Sequence, residues 1–178
     1  MRFPPPLRKA VVTAHVVTSV GWLGAEAVLL VLAAAGLAGA DRAVVYPAAG
    51  LVGEILLAPL SVAAWVVGVV SALGTPWGLL RYRWVLVKLV ATTVMTGLIL
   101  FRLLPNLRTA ADLGPALPPV DRVGLVVATS VATTLLVAVT AVSVYKPWGR
   151  LRRARAGAAA SGPSARKPTT AAVRSAAR

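Results

Sequence analysis

The sequence predicts an all-α membrane protein, an antiparallel bundle of four transmembrane helices with both termini in the cytoplasm. Three observations lead there. The 178 residues are 58% hydrophobic and 13% charged, with a mean hydropathy of +0.80, whereas a soluble domain carries about 25% charged residues. Four apolar runs, about 10–39, 48–73, 84–104 and 120–145, can each cross roughly 30 Å of hydrocarbon. The basic residues also sort to one side. With four crossings and an inside N-terminus, fifteen of the nineteen Lys and Arg fall in cytoplasmic segments: Arg2, Arg8, Lys9, Arg81, Arg83, Lys88 and nine from Lys146 to Arg178. Arg42, Arg102, Arg108 and Arg122 fall outside, and no acidic residue falls in a cytoplasmic segment. That is the positive-inside pattern of a bacterial plasma-membrane protein.

Residues 1–9 are basic and proline-rich, with Pro4-Pro5-Pro6 expected to keep helix away. The first run, from Ala10 to about Gly39, would be roughly 45 Å long as a helix. Ala38-Gly39-Ala40 resembles a signal cleavage site, but the run is about twice the length of a signal h-region. An uncleaved first helix is the simpler reading. His15, Ser19, Trp22 and Glu26 fall in one stripe of it, beside Thr18, and such a stripe has to face protein or water.

Asp41 to Ala49 reads as a short polar connection. The second run comes next, with Glu54 near its start and Pro59 expected to kink it. Gly74-Thr75-Pro76-Trp77-Gly78 ends that run. In the third, Lys88, Thr92, Met95, Thr96, Ile99 and Arg102 form one stripe at the α-helical period. Pro105 to Val120, with Pro115, Pro118 and Pro119, reads as the longest loop. The fourth run is rich in Val, Ala and Thr, with Thr129, Thr133 and Thr140 on one face. Residues 146–178 turn to Ala, Arg, Ser, Gly, Pro and Thr, and a disordered basic tail is expected there. Pro147-Trp148-Gly149 echoes Pro76-Trp77-Gly78, as helix stops with interfacial Trp would.

The composition removes several chemistries. The chain has no cysteine and one histidine, so disulfides, thiolate metal sites, iron–sulfur clusters, a thiol nucleophile and a multi-histidine site within one chain are excluded. No P-loop, nucleophile elbow, zinc-protease or dinucleotide motif occurs. The +14 net charge belongs to the flanks of apolar runs, so anionic lipid headgroups at the basic tail are the expected partner and nucleic acid is not. A membrane-protein partner or a second copy of the chain is also compatible; Gly21 and Ala25, four apart, allow close helix packing.

The candidate polar core is His15, Trp22, Glu26, Glu54, Lys88, Thr92, Thr96 and Arg102. Counting the helical rise from Lys9 puts His15 ~9 Å deep and Glu26 ~25 Å deep. Glu26, Glu54 and Arg102 then share the outer half, as a structural ion pair or a proton- or cation-responsive site. His15 and Lys88 share an inner level, where they would satisfy local partners, bind an anionic headgroup, hold a quinone or relay a proton.

His15-x6-Trp22-Leu23-Gly24-Ala25 and Leu73-Gly74-Thr75-Pro76-Trp77-Gly78-Leu79-Leu80-Arg81-Tyr82-x-Trp84-Val85-Leu86-Val87-Lys88 resemble a group of small actinobacterial integral membrane proteins classed as a domain of unknown function. The likeness runs from about Arg8 to Tyr145. It implies a four-helix inner-membrane protein and no particular activity. The His…Trp-x-Gly opening is distantly similar to the copper-resistance D and cytochrome b561-like membrane families, which would imply haem or copper; the further histidines of those families are missing here, and no ligand set carries over. The function expected is therefore a non-enzymatic structural or accessory bundle, with no cofactor. The alternatives are a small proton- or cation-coupled carrier using Glu26 and Glu54, and a haem- or redox-associated protein using His15.

Overall fold

The computed structural model describes residues 3–74 and 83–145. They form four long rods, and no strand occurs among the described residues. All four rods are long and apolar enough to cross a membrane.

Rod one is α1, Pro5–Ala38. It begins inside the proline stretch expected to exclude helix, because proline is tolerated in a first turn, where no N–H partner is needed. Gly39 ends it in the left-handed conformation (φ 103°), and the Ala40 N–H donates back to the Ala35 carbonyl at 2.9 Å. Arg42 Nε adds a bond to the Gly36 carbonyl at 3.1 Å, placing a cation at the negative end of the helix dipole.

Rod two starts at once. Asp41, expected in a polar connection, is instead the N-cap of α2 (Arg42–Val52), its side chain accepting from the Ala43 N–H at 3.0 Å. The connection from rod one is thus cut to three residues, Gly39 to Asp41. A π-helical turn, Gly53–Leu57, joins α2 to α3 (Ala58–Gly74). The kink expected at Pro59 takes the form of that turn. Pro59 has no N–H for the Ile55 carbonyl and its ring crowds that oxygen; the wider turn just before it absorbs the conflict.

Rod three repeats the arrangement. It comprises α4 (Arg83–Leu98), a π turn (Ile99–Leu103) and α5 (Leu104–Leu113), with Pro105 two residues past the π turn. The long loop expected over Pro105–Val120 is therefore mostly helix. A 3-10 turn, Gly114–Ala116, leads to rod four, which is α6 (Pro119–Tyr145). Arg122 Nε ties this corner by donating to the Leu117 carbonyl at 2.7 Å. The Thr-Pro-Trp-Gly segment and the basic tail lie outside the described residues.

Rod one is the hub, packing along both rod two and rod four. Its register against rod two is set by His15 on Gly68, Gly21 on Leu60 and Gly36 on Tyr46. Phe3 N–H donates to the Gly74 carbonyl at 3.2 Å at one end, called here the near end. At the far end, Leu29, Tyr46, Leu57 and Leu107 are fully enclosed. Glycine makes that possible: a Cβ at Gly36 would lie 2.7 Å from the Tyr46 ring, and one at Gly53 would lie 2.7 Å from Leu107. The outward faces carry Val17, Val20, Val31, Ile55 and Phe101, all exposed.

Candidate functional site: a cavity between the four rods

At the near end the same rods do not close. A cavity of about 370 Å³ opens between them, with lining residues from α1, α3, α4 and α6. On the α3 side its wall includes small residues, Ala64, Gly68 and Ala72. The volume lies within the usual range for small-molecule sites.

Two basic groups face this space. His15 rests on Gly68, where a Cβ would come within 2.9 Å of its Cε1. Its Nδ1 is buried with no protein partner. From α4, Lys88 Nζ donates to Ser143 Oγ at 2.9 Å, and Ser143 donates its own proton to the Val139 carbonyl at 2.8 Å. An ammonium has three donors, so Lys88 keeps capacity for a further acceptor. Among the described residues, no carboxylate lines the cavity.

The walls are apolar and aromatic. Trp65 is held by its Nε1 bond to Thr93 Oγ1 at 2.8 Å. Trp22, 2% exposed, closes the deep end, and its Nε1 has no partner. Thr92 spends its hydroxyl on the Lys88 carbonyl at 2.9 Å. The arrangement can hold a molecule with an apolar body against the Trp and Val surfaces and an acceptor head beside Lys88 and His15.

Four of the eight expected polar-core residues thus line one space: His15, Trp22, Lys88 and Thr92. Glu26 and Thr96 are buried beyond it, Glu26 with zero exposure and both carboxyl oxygens unpartnered, Thr96 with its hydroxyl unpartnered. The expected cluster of Glu26, Glu54 and Arg102 does not form. Glu54 is exposed and pairs with Arg108 at 2.6 Å, the one salt bridge among the described residues, and Arg102 is exposed as well. Ser143, Trp65 and Gly68 belong to the site but were not among the expected residues. Ser143 sits at the helical period from Thr129, Thr133 and Thr140, and extending that stripe would have found it.

Among the described residues, no three His, Cys, Asp or Glu converge to hold a metal. No family model, curated protein or solved structure matches this chain, and the site rests on its own residues.

Proposed function

We propose that this chain is a non-enzymatic, multi-pass protein of a bacterial plasma membrane, with an antiparallel bundle and both termini in the cytoplasm. In this reading the cavity lies in the cytoplasmic half and binds an amphipathic molecule with an anionic head. The observation that carries it is that His15 and Lys88 line one largely apolar cavity with no carboxylate among its described lining residues. An uncompensated cation in a low-dielectric wall attracts an anion or a strong acceptor. The excess of Lys and Arg in the cytoplasmic segments supports the orientation.

The test is binding of the fluorescent fatty acid cis-parinaric acid to the full-length protein in detergent, read by energy transfer from Trp22 and Trp65. A hydrogen bond to a charged group contributes about 1.5–3 kcal/mol, so Lys88→Met should weaken binding about ten- to hundredfold. Lys88→Arg should retain most of the affinity, and the methyl ester of the probe should bind as poorly as the acid binds to Lys88→Met. Equal binding of acid and ester would point to a neutral acceptor head such as a quinone, and no binding of either would remove the ligand reading.

A further inference from the structure

Above the cavity the chain buries a carboxyl group that the ligand reading does not use. The stripe His15, Ser19, Trp22 and Glu26 climbs α1 at intervals of four, three and four residues. The first three line the cavity. Glu26 lies one turn beyond Trp22, with zero exposure and both carboxyl oxygens without a partner.

Among the described residues, no salt bridge or hydrogen bond from a neighbouring rod reaches it. The buried positions of rod two nearby are Leu57 and Ser61, those of rod three are Met95, Thr96 and Ile99, and those of α6 are Leu125 and Thr129. The Ser61 and Thr129 hydroxyls are spent on the carbonyls of Ala58 and Leu125, both at 2.8 Å. The charged groups of these rods lie elsewhere: Lys88 is bonded to Ser143, Glu54 and Arg108 pair on an exposed flank, Arg102 is exposed, and Arg122 holds its corner carbonyls. His15 is three turns below. The Thr96 hydroxyl and Trp22 Nε1–H are unspent, but neither bonds the carboxyl, and an ionised carboxylate enclosed without a cation or a hydrogen bond is far costlier than a neutral one.

The two directions out of this position differ. Toward the far end lies the close-packed layer of Leu29, Leu57, Leu107 and Tyr46, each with zero exposure. Toward the near end, one turn down the same helix, Trp22 lines the cavity with its Nε1 unpartnered. We propose that Glu26 is a proton-binding site, carrying its proton on the buried carboxyl and exchanging it through the four-rod cavity rather than toward the far end. The proposal needs the cavity but not a ligand within it.

Two measurements on the full-length protein in detergent test it. Dicyclohexylcarbodiimide, an apolar reagent that modifies protonated carboxyls, should label Glu26, and the label should fade as pH rises. Glu26→Gln should lose it, while Glu54→Gln should leave it in place. Labelling suppressed by sodium chloride and indifferent to pH would mean a cation site, and no labelling with intact fold would mean no protonated carboxyl; either overturns the proposal. The route is read from infrared spectra in heavy water, where the protonated-carboxyl band lost in Glu26→Gln should shift on deuteration. Filling the cavity with Thr140→Leu, or with Ser19→Leu if the first fails to fold, should slow that shift about tenfold or more, an added barrier of about 1.4 kcal/mol. An unchanged rate in folded variants would overturn the route.

Discussion

The neighbouring rod carries two arginines, Arg102 and Arg108, and Glu54 takes Arg108 at 2.6 Å. The reason is a change of helical period. Arg102 falls inside the π turn Ile99–Leu103, and a π turn adds one residue, swinging the next stretch of helix round the axis by roughly 100°. The stripe through Lys88, Thr92, Met95 and Ile99 therefore continues to Leu103 and Leu107, which are buried, while Arg102 is thrown outward. Glu26→Gln and Arg102→Gln should then be additive in unfolding free energy to within about 0.5 kcal/mol. Glu54→Gln and Arg108→Gln should couple, but by less than about 1 kcal/mol, since both partners are half exposed. A double-mutant cycle on each pair, monitored by denaturant unfolding in detergent, checks both. A larger coupling for Glu26 and Arg102 would mean that they do meet. At this scale the shared level of His15 and Lys88 was legible from depth counting alone. The partner of Glu54 was not, because Pro105 marks a disturbance in the helix but not that it takes the form of a one-residue slip in period.

Both π turns end two residues before a proline, at Pro59 and Pro105. The common cause is the missing N–H and the crowded carbonyl four residues back. Restoring the donor should tighten the backbone there. In Pro59→Ala, amide hydrogen exchange over residues 53–60 should slow relative to the wild type, while residues 125–136 of rod four stay unchanged. Mass spectrometry of peptic fragments reads both, and faster exchange over 53–60 would show that the turn is held by packing of Gly53 on Leu107 rather than by the proline. The apolar cores of the four helices were legible because each run exceeds what a soluble helix needs. Their far-end extensions were not. Asp41 and Pro105 are loop signals in isolation, yet Asp41 is a cap, a position where it favours helix, and the conflict at Pro105 is absorbed by the π turn before it.

At the scale of the molecule, three of the four arginines assigned to the outer side have structural work. Arg42 caps α1, Arg108 links rods two and three, and Arg122 closes the last corner. Their exception to the charge bias thus has a local cause in the folding of the far end. The orientation itself is open to direct measurement, since the chain has no cysteine. Ala40→Cys, at the far end, should react with a membrane-impermeant maleimide in intact cells, and Ser164→Cys should react only after lysis. The reverse pattern would invert the topology. The division between a closed far half and a hollow near half could not be read from the chain. It depends on which small residues of α3 meet which face of α1, and Ala64, Gly68 and Ala72 look no different in sequence from the small residues that pack tightly elsewhere.

The two π turns carry one more consequence. Each packs on the α-helix of the other rod rather than on the other turn: Gly53, at the start of the first, rests on Leu104 and Leu107, just past the end of the second. Beyond them α2 and α5 are fastened together by Gly50 on Ala111 and by the Glu54–Arg108 pair, while rods one and four run past as unbroken α-helices. The pair of α2 and α5 is fastened to rod one as well, by Tyr46 on Gly36 and by Arg42 on the Gly36 carbonyl. A mutation that loosens one of these helices is therefore expected to loosen the whole far end, because each fastening shares a residue or a neighbour with the next.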